Sequence, residues 1–277
     1  MSHHFTLFRT NKTNRRAFTW IELVVVLVIL FVLVAILFPA IQNSHSPARR
    51  MICSNNFKYL ALGMHSYHDV HKTLPPAQML DMDGKALQSW RVLLLPYVEY
   101  VELYEQLHLD EAWDSEHNKL SDKKEIRVFI CPTAEQFRKK AKVNESMRNV
   151  LADYQLVTGA QTPFAGGKST NFDAFERGTS QTYLIVESTT SVPRFAPVDL
   201  PYDLLDFGVL SPKSNLRAIG SHHTGGANAA FADGSVNFIK NSESENDIRD
   251  LKRMFLLAEP PENDPQEMAA GNAAIAE

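Results

Sequence analysis

No acidic residue occurs among the first seventeen positions, and between Phe18 and Ile41 only Glu22 ionises. The first absence leaves Arg9, Lys12, Arg15 and Arg16 unopposed, which by the positive-inside rule keeps this end in the cytoplasm and sends the C-terminal part across a membrane. The second leaves a run over 18–38 that, at about 1.5 Å per residue, matches a hydrocarbon core of roughly 30 Å as one helix. An A-x-A-like site is missing after the run, and Ser44 and Ser46 precede Pro47. A cleaved secretory signal, whose apolar region is about 7–15 residues, is thereby excluded. The G-x-S-x-G, P-loop and zinc-protease signatures are absent too, so the chain reads as a non-enzyme without a cofactor. Removing the four leader charges from the net −4 leaves −8 for the remainder, an acidic balance that argues against nucleic acid as a partner.

What is present fits one membrane segment and one folded domain: 277 residues, 44% hydrophobic and 22% charged. Glu22 is the residue out of place. A carboxylate at the centre of a membrane helix costs about 2.5–3.5 kcal/mol, and less near an end. It is therefore a functional candidate by default.

Farther along, the apolar residues Cys53, Phe57, Leu60, Ala61, Met64 and Tyr67 recur at spacings of three and four, which predicts an amphipathic helix over 48–68 lying on a sheet. Ser46 and Pro47 suit the cap and first position of that helix, after a break at 43–47. Helical spacing returns over 98–108. KKEIRVFI (123–130) and TYLIVE (182–187) read as strands. Residues 134–150 are charged and read as a solvated insertion. Asp233-Gly234 predicts a two-residue type I′ hairpin that sets Phe231 opposite Val236 and Ala229 opposite Phe238. The tail from 259 to 277, with three prolines and no periodicity, reads as disordered.

Four constellations suggest chemistry. Cys53 and Cys131, exported into an oxidising space, can pair as a disulfide or stay as two separately buried thiols. His65, His68 and His71 are spaced for a helix face, but no Cys, Asp or Glu in register completes a tetrahedral metal set. His222, His223 and Asp233 suggest a site too, against which Asp233 is accounted for by the turn and His223 by hydrogen bonds to the Thr224-Gly225-Gly226 turn. Asp81-Met82-Asp83-Gly84 begins like a calcium loop, lacks the later acids, and reads as a turn. No metal is expected.

The stretch Arg15-Arg16-Ala17-Phe18-Thr19-Trp20-Ile21-Glu22-Leu23 resembles the type IV prepilin processing motif, with Ala17 where that family usually carries Gly. The resemblance implies that prepilin peptidase cuts between Ala17 and Phe18 and that the new Phe18 amine is N-methylated. It also implies that Glu22 meets the N-terminal amine of a neighbouring subunit during assembly. A buried charge would then have a partner of opposite sign. The blocks CSNNFKYLALGMHSYHDVHKTLPPA (53–77), SWRVLLLPYVEYVELYEQLHLDEAWDSEHN (89–118), FICPT (129–133), GTSQTYLIVE (178–187) and HTGGANAAFADGSVNFI (223–239) resemble the DUF1559 pseudopilin-like proteins, known by a C-terminal H-x9-D-G motif. Here that motif is His223, Asp233 and Gly234.

The likeness implies an α+β, pilin-like fold in which a long N-terminal helix, transmembrane and then amphipathic, packs on a mainly antiparallel sheet. The expected parts are a cytoplasmic leader (1–17), a transmembrane helix (18–41), a periplasmic domain (42–258) and the tail. The implied function is that of a membrane-anchored pseudopilin-like subunit of a type II secretion or type IV pilus-like filament. Its partners would be prepilin peptidase, other pilin-like subunits and inner-membrane lipid. The other reading is a periplasmic ligand-binding module that keeps a pilin-type anchor without polymerising.

Overall fold

The computed structural model describes residues 19–43, 45–121, 125–205, 219–241 and 245–258, without the side chains of 35–46 and 245. The leader with Ala17 and Phe18, and the tail, lie outside the described residues. The chain divides into a unit up to His45 and a larger one from Ser46 onward.

The first unit holds helix α1 (Trp20–Asn43). Its start is a capping box: the Thr19 N–H donates to Glu22 Oε2 at 2.8 Å, the Thr19 hydroxyl donates to the same oxygen at 2.9 Å, and the Glu22 N–H lies 3.4 Å from Thr19 Oγ1. Among the described residues, whose α1 side chains end at Val34, no helix is long and apolar enough to cross a membrane.

The larger unit opens with α2 (His45–His71). The expected cap at Ser46 is corrected: the helix already includes it, and Pro47 sits in the first turn, where a missing N–H costs nothing. Next come the hairpin strands β1 (Gln78–Leu80) and β2 (Ala86–Ser89). Asp81 accepts from the N–H groups of Asp83 and Lys85 at 3.0 and 2.8 Å, and Gly84 is left-handed at φ 80°. The candidate calcium loop is thus a closed turn. Helices α3 (Trp90–Leu94), α4 (Val101–Tyr104) and α5 (Glu116–Ser121) follow. The helical pattern over 98–108 resolves into one short turn, because Glu99 takes a left-handed φ of 65° and interrupts it.

The strand expected over KKEIRVFI is also corrected for 125–130, residues 123 and 124 lying outside the described residues. Arg127–Phe129 forms a 3-10 turn, and Pro132 opens helix α6 (Pro132–Lys140), its fixed φ suiting a first helical turn. Val128, Phe129 and Ile130 are apolar because they are buried, which produces the same residue types as strand propensity. Helix α7 (Glu145–Asn149) comes next, so residues 134–150 are helical as well as largely solvent-exposed, with Arg138 buried against Asp153.

Strands β3 (Leu151–Thr158), β4 (Tyr183–Pro193), β5 (Leu200–Pro201), β6 (Gly226–Phe231) and β7 (Val236–Lys240) form a sheet of order β5-β3-β4-β6-β7. Every pairing is antiparallel except β3 with β5. Helix α8 (Glu245–Arg253) ends the described chain's regular elements. The fold is therefore α+β with a mainly antiparallel sheet.

Two apolar clusters hold the sheet. Cys53, Phe57, Leu60, Ala61, Met64 and Tyr67 of α2 pack with Trp90, Phe129, Tyr154, Ile185 and Ala230. Each buried Leu, Phe or Met there contributes about 1.5–3 kcal/mol. Val157, Tyr183, Val186, Ala229 and Phe255 pack with Ile248 and Leu251 of α8 in the second cluster. The β6–β7 hairpin departs from expectation by one residue. Ala229 pairs Asn237 and Asn228 pairs Phe238, while the Phe231 N–H donates to Ser235 and the Gly234 N–H to Phe231. The loop is three residues long, with Gly234 at φ 85°, the bulged alternative to the type I′ turn. Phe231 and Val236 consequently serve opposite faces, one in each cluster.

Candidate functional site

Four segments far apart in sequence converge beneath α2. The helical stripe places Cys53 against the sheet, and the Pro132 start of α6 turns Cys131 inward. The pleat of β4 puts Glu187 on the same face as Ile185, and the loop before β6 carries His223. All four residues are buried. The thiols of Cys53 and Cys131 are free, with their sulfurs 3.1 Å apart. Nε2 of His223 lies 3.2 Å from Cys53 Sγ, 3.5 Å from Cys131 Sγ and 3.4 Å from Glu187 Oε1. One ligating atom from each residue falls within 4.8 Å of all the others.

Each donor is held from behind. The Asn228 backbone N–H and side-chain amide donate to Glu187 Oε2 at 2.7 and 3.0 Å. Oε1 is left buried with no hydrogen-bond partner among the described residues. Nδ1 of His223 sits 3.2 Å from Thr133 Oγ1; as a neutral ring donating there, it turns its Nε2 lone pair toward the sulfurs. The His223 N–H donates to Ser221 Oγ, whose own hydroxyl donates to the Gly226 carbonyl, fixing the loop. The Cys131 N–H donates to Asp153 Oδ2 at 2.8 Å, and Arg138 grips both oxygens of Asp153 at 2.6 and 3.1 Å.

The cluster's electrostatics are coupled. A hydrogen bond toward Cys131 and burial hold the Cys53 thiol far above its ordinary pKa. That same bond lowers Cys131, against burial and with help from His223. Burial opposes charging of His223, but its bond with Cys131 and the nearby Glu187 carboxylate outweigh it and raise the ring to about 9. These shifts push Cys131 toward thiolate and His223 toward imidazolium.

A model of the family described as "Protein of unknown function (DUF1559)" matches residues 42–202 and 199–245. The chain belongs to the DUF1559 family. No curated protein matches the chain, and no solved structure does. The matched span of this DUF1559 chain takes in all four donors and begins at the end of α1.

Within that span the structure separates residues that the H-x9-D-G spacing suggests together. His223 joins the cysteines, whereas Asp233 accepts from the Ser235 N–H at 2.8 Å inside the hairpin turn. His222 stacks on Phe137 at 4.5 Å. The helical histidines are occupied elsewhere. His65 Nε2 lies 2.9 Å from the Ala232 carbonyl and its ring stacks on Phe172, His68 meets the same Phe172, and His71 contacts Tyr67 and Tyr97. Glu187 is the member that sequence reasoning missed. Its signal was available: it is the one charge in the run Tyr183-Leu184-Ile185-Val186-Glu187, the same anomaly that singles out Glu22.

Proposed function

We propose that this DUF1559 chain is a membrane-anchored, pilin-like structural subunit, processed by prepilin peptidase and assembled through its N-terminal helix. The observation that carries the reading is α1 itself. Its large apolar side chains from Trp20 to Val34 are exposed all round the helix, Trp20 at 77% and Phe31 at 75%. A helix apolar on every side needs lipid or other helices around it. Glu22, in its first turn, is the only described charge on it.

In this reading α1 rests in the inner membrane, N-terminus inward, until packing against neighbouring α1 helices replaces lipid. The α2 half, with its stripe packed on the sheet, belongs to the exported domain. The test is mass spectrometry of the N-terminal peptide from membrane-fraction protein. A chain beginning at N-methylated Phe18 is the expected result. Retention of Met1 to Ala17 in most molecules would overturn the assembly role and leave a permanently tethered periplasmic module.

A further inference from the structure

We propose that Cys53, Cys131, Glu187 and His223 form a closed, tetrahedral zinc site that clamps α2 to the sheet. The inference is independent of the anchoring role. Zinc takes thiolate at about 2.3 Å, imidazole at about 2.0–2.1 Å and carboxylate at about 2.0–2.2 Å, which sets tetrahedral ligand separations at roughly 3.4–3.8 Å. The separations measured through His223 Nε2 are 3.2, 3.5 and 3.4 Å. The sulfur pair, at 3.1 Å, and the His223–Cys53 pair, at 3.2 Å, would open by roughly half an ångström or less, and all four atoms already lie within 4.8 Å of one another.

Glu187 decides between a metal and the alternatives. A buried ion pair repays desolvation only with excellent geometry, yet Oε1 faces His223 at 3.4 Å without a hydrogen bond while Oε2 is saturated by Asn228. One oxygen anchored and one free is the geometry of a carboxylate bound through a single oxygen. A disulfide between Cys53 and Cys131 would leave that oxygen only the 3.4 Å approach to His223. A divalent cation at the centre would be met by both thiolates, the His223 lone pair and Oε1, the two protons held among the thiols and the ring leaving to solvent as the metal enters. The partners behind the donors, Thr133 for His223 and Asn228 for Glu187, are the orienting contacts such a site requires. A cleft lined by Thr133, Phe137, Ser221, His222 and His223 opens beside the ring and offers an entry path.

The site joins one helix, one helix start, one strand and one loop, so bound metal would act as a cross-link where this domain has no other covalent tie among the described residues. Its stabilisation should follow mass action, rising with the ratio of free zinc to dissociation constant.

The experiment uses the full chain, purified in detergent from membranes without chelator. Elemental analysis is expected to give one zinc per chain. Cobalt substitution should give the visible bands of tetrahedral coordination with thiolate charge transfer. Cys53→Ser, Cys131→Ser and Glu187→Gln should each weaken zinc binding by more than about 100-fold, since loss of an orienting partner alone costs 10–100-fold. Glu187→Gln keeps the shape and an acceptor, and circular dichroism of that variant separates lost binding from lost fold. Absence of zinc, with intact mass two hydrogens short and no reactive thiol, would show a disulfide and overturn the proposal. So would two free thiols in a folded chain that takes up no zinc when it is added at one equivalent.

Discussion

Glu187 Oε2 is bound twice by Asn228, through the backbone N–H at 2.7 Å and the side-chain amide at 3.0 Å. The pair crosses from β4 to β6, so the aim of the carboxylate is set by the sheet itself. Asn228→Ala keeps the backbone bond and deletes the other, leaving a buried acceptor half-satisfied. The expected loss is about 1–3 kcal/mol of stability, read by urea denaturation at constant zinc. Zinc affinity should fall 10–100-fold in the same variant, read by competition with a chelating dye.

Arg91 and Asp199 form another buried charge pair. Arg91 is fully buried, its guanidinium donates to the Tyr154 carbonyl and to Ser89 Oγ, and Nη2 lies 2.8 Å from Asp199 Oδ1. Asp199 also accepts from the Trp90 indole and the Leu156 N–H. Burial pushes Arg91 down and Asp199 up, each against the pull of the other. Breaking such a pair costs about 3–5 kcal/mol because the surviving charge is stranded. Arg91→Ala should show that loss in denaturant midpoint. Arg91→Ala with Asp199→Asn should lose less than the sum of the single variants, by about 0.5–3 kcal/mol of coupling.

Two glycines of the H-x9-D-G region make a matched comparison. At Gly226 an added Cβ would stand 2.0 Å from the Ile239 carbonyl oxygen, backbone that cannot yield. At Gly234 the nearest atoms are 4.0 Å away and only the φ of 85° opposes a side chain. Gly234→Ala should therefore cost about 1–2 kcal/mol, the ordinary left-handed penalty, with the site intact. Gly226→Ala should cost at least about 1–3 kcal/mol through overpacking. It should also lower zinc uptake, since Ser221 positions His223 through the Gly226 carbonyl. Thermal melts with zinc analysis on both variants check the contrast.

How far the sequence discloses this molecule depends on how far apart the cooperating residues lie. The α2 stripe is legible because helix period alone puts Cys53, Phe57, Leu60, Ala61, Met64 and Tyr67 on one face, and all six are in the core. The run Thr182 to Glu187 reads as a strand for the same local reason. The hairpin register slips by one because Asp-Gly serves two turn types, and only pairing with Thr182 and Thr179 across the sheet edge, through the N–H groups of Ala232 and Asp233, selects the longer loop. Residues 125–130 mislead because a buried apolar turn and a strand share a composition. The site is the least legible part: its donors stand at 53, 131, 187 and 223, and no spacing rule links them before the sheet forms.

Glu22 caps α1 and, on the pilin-like reading, also serves assembly, and one substitution can separate the two. Its Oε2 accepts from both the N–H and the hydroxyl of Thr19, at 2.8 and 2.9 Å, and a capping box accepts glutamine as readily as glutamate. If Glu22 only caps α1, Glu22→Gln should be silent. The pilin-like reading instead needs the negative charge, because its partner is the positive amine of a neighbouring subunit's Phe18, and an amide cannot pair with it in lipid. Glu22→Gln should therefore leave the protein in the membrane fraction at normal level, with Phe18 still processed, while abolishing cross-linking between neighbouring α1 helices. Thr19→Ala supplies the converse. It removes the hydroxyl half of the cap at a cost of about 0.5–2 kcal/mol to the helix and should leave cross-linking in place. A Glu22→Gln chain that still cross-links like the parent would remove the charge from assembly and leave Glu22 as a helix cap.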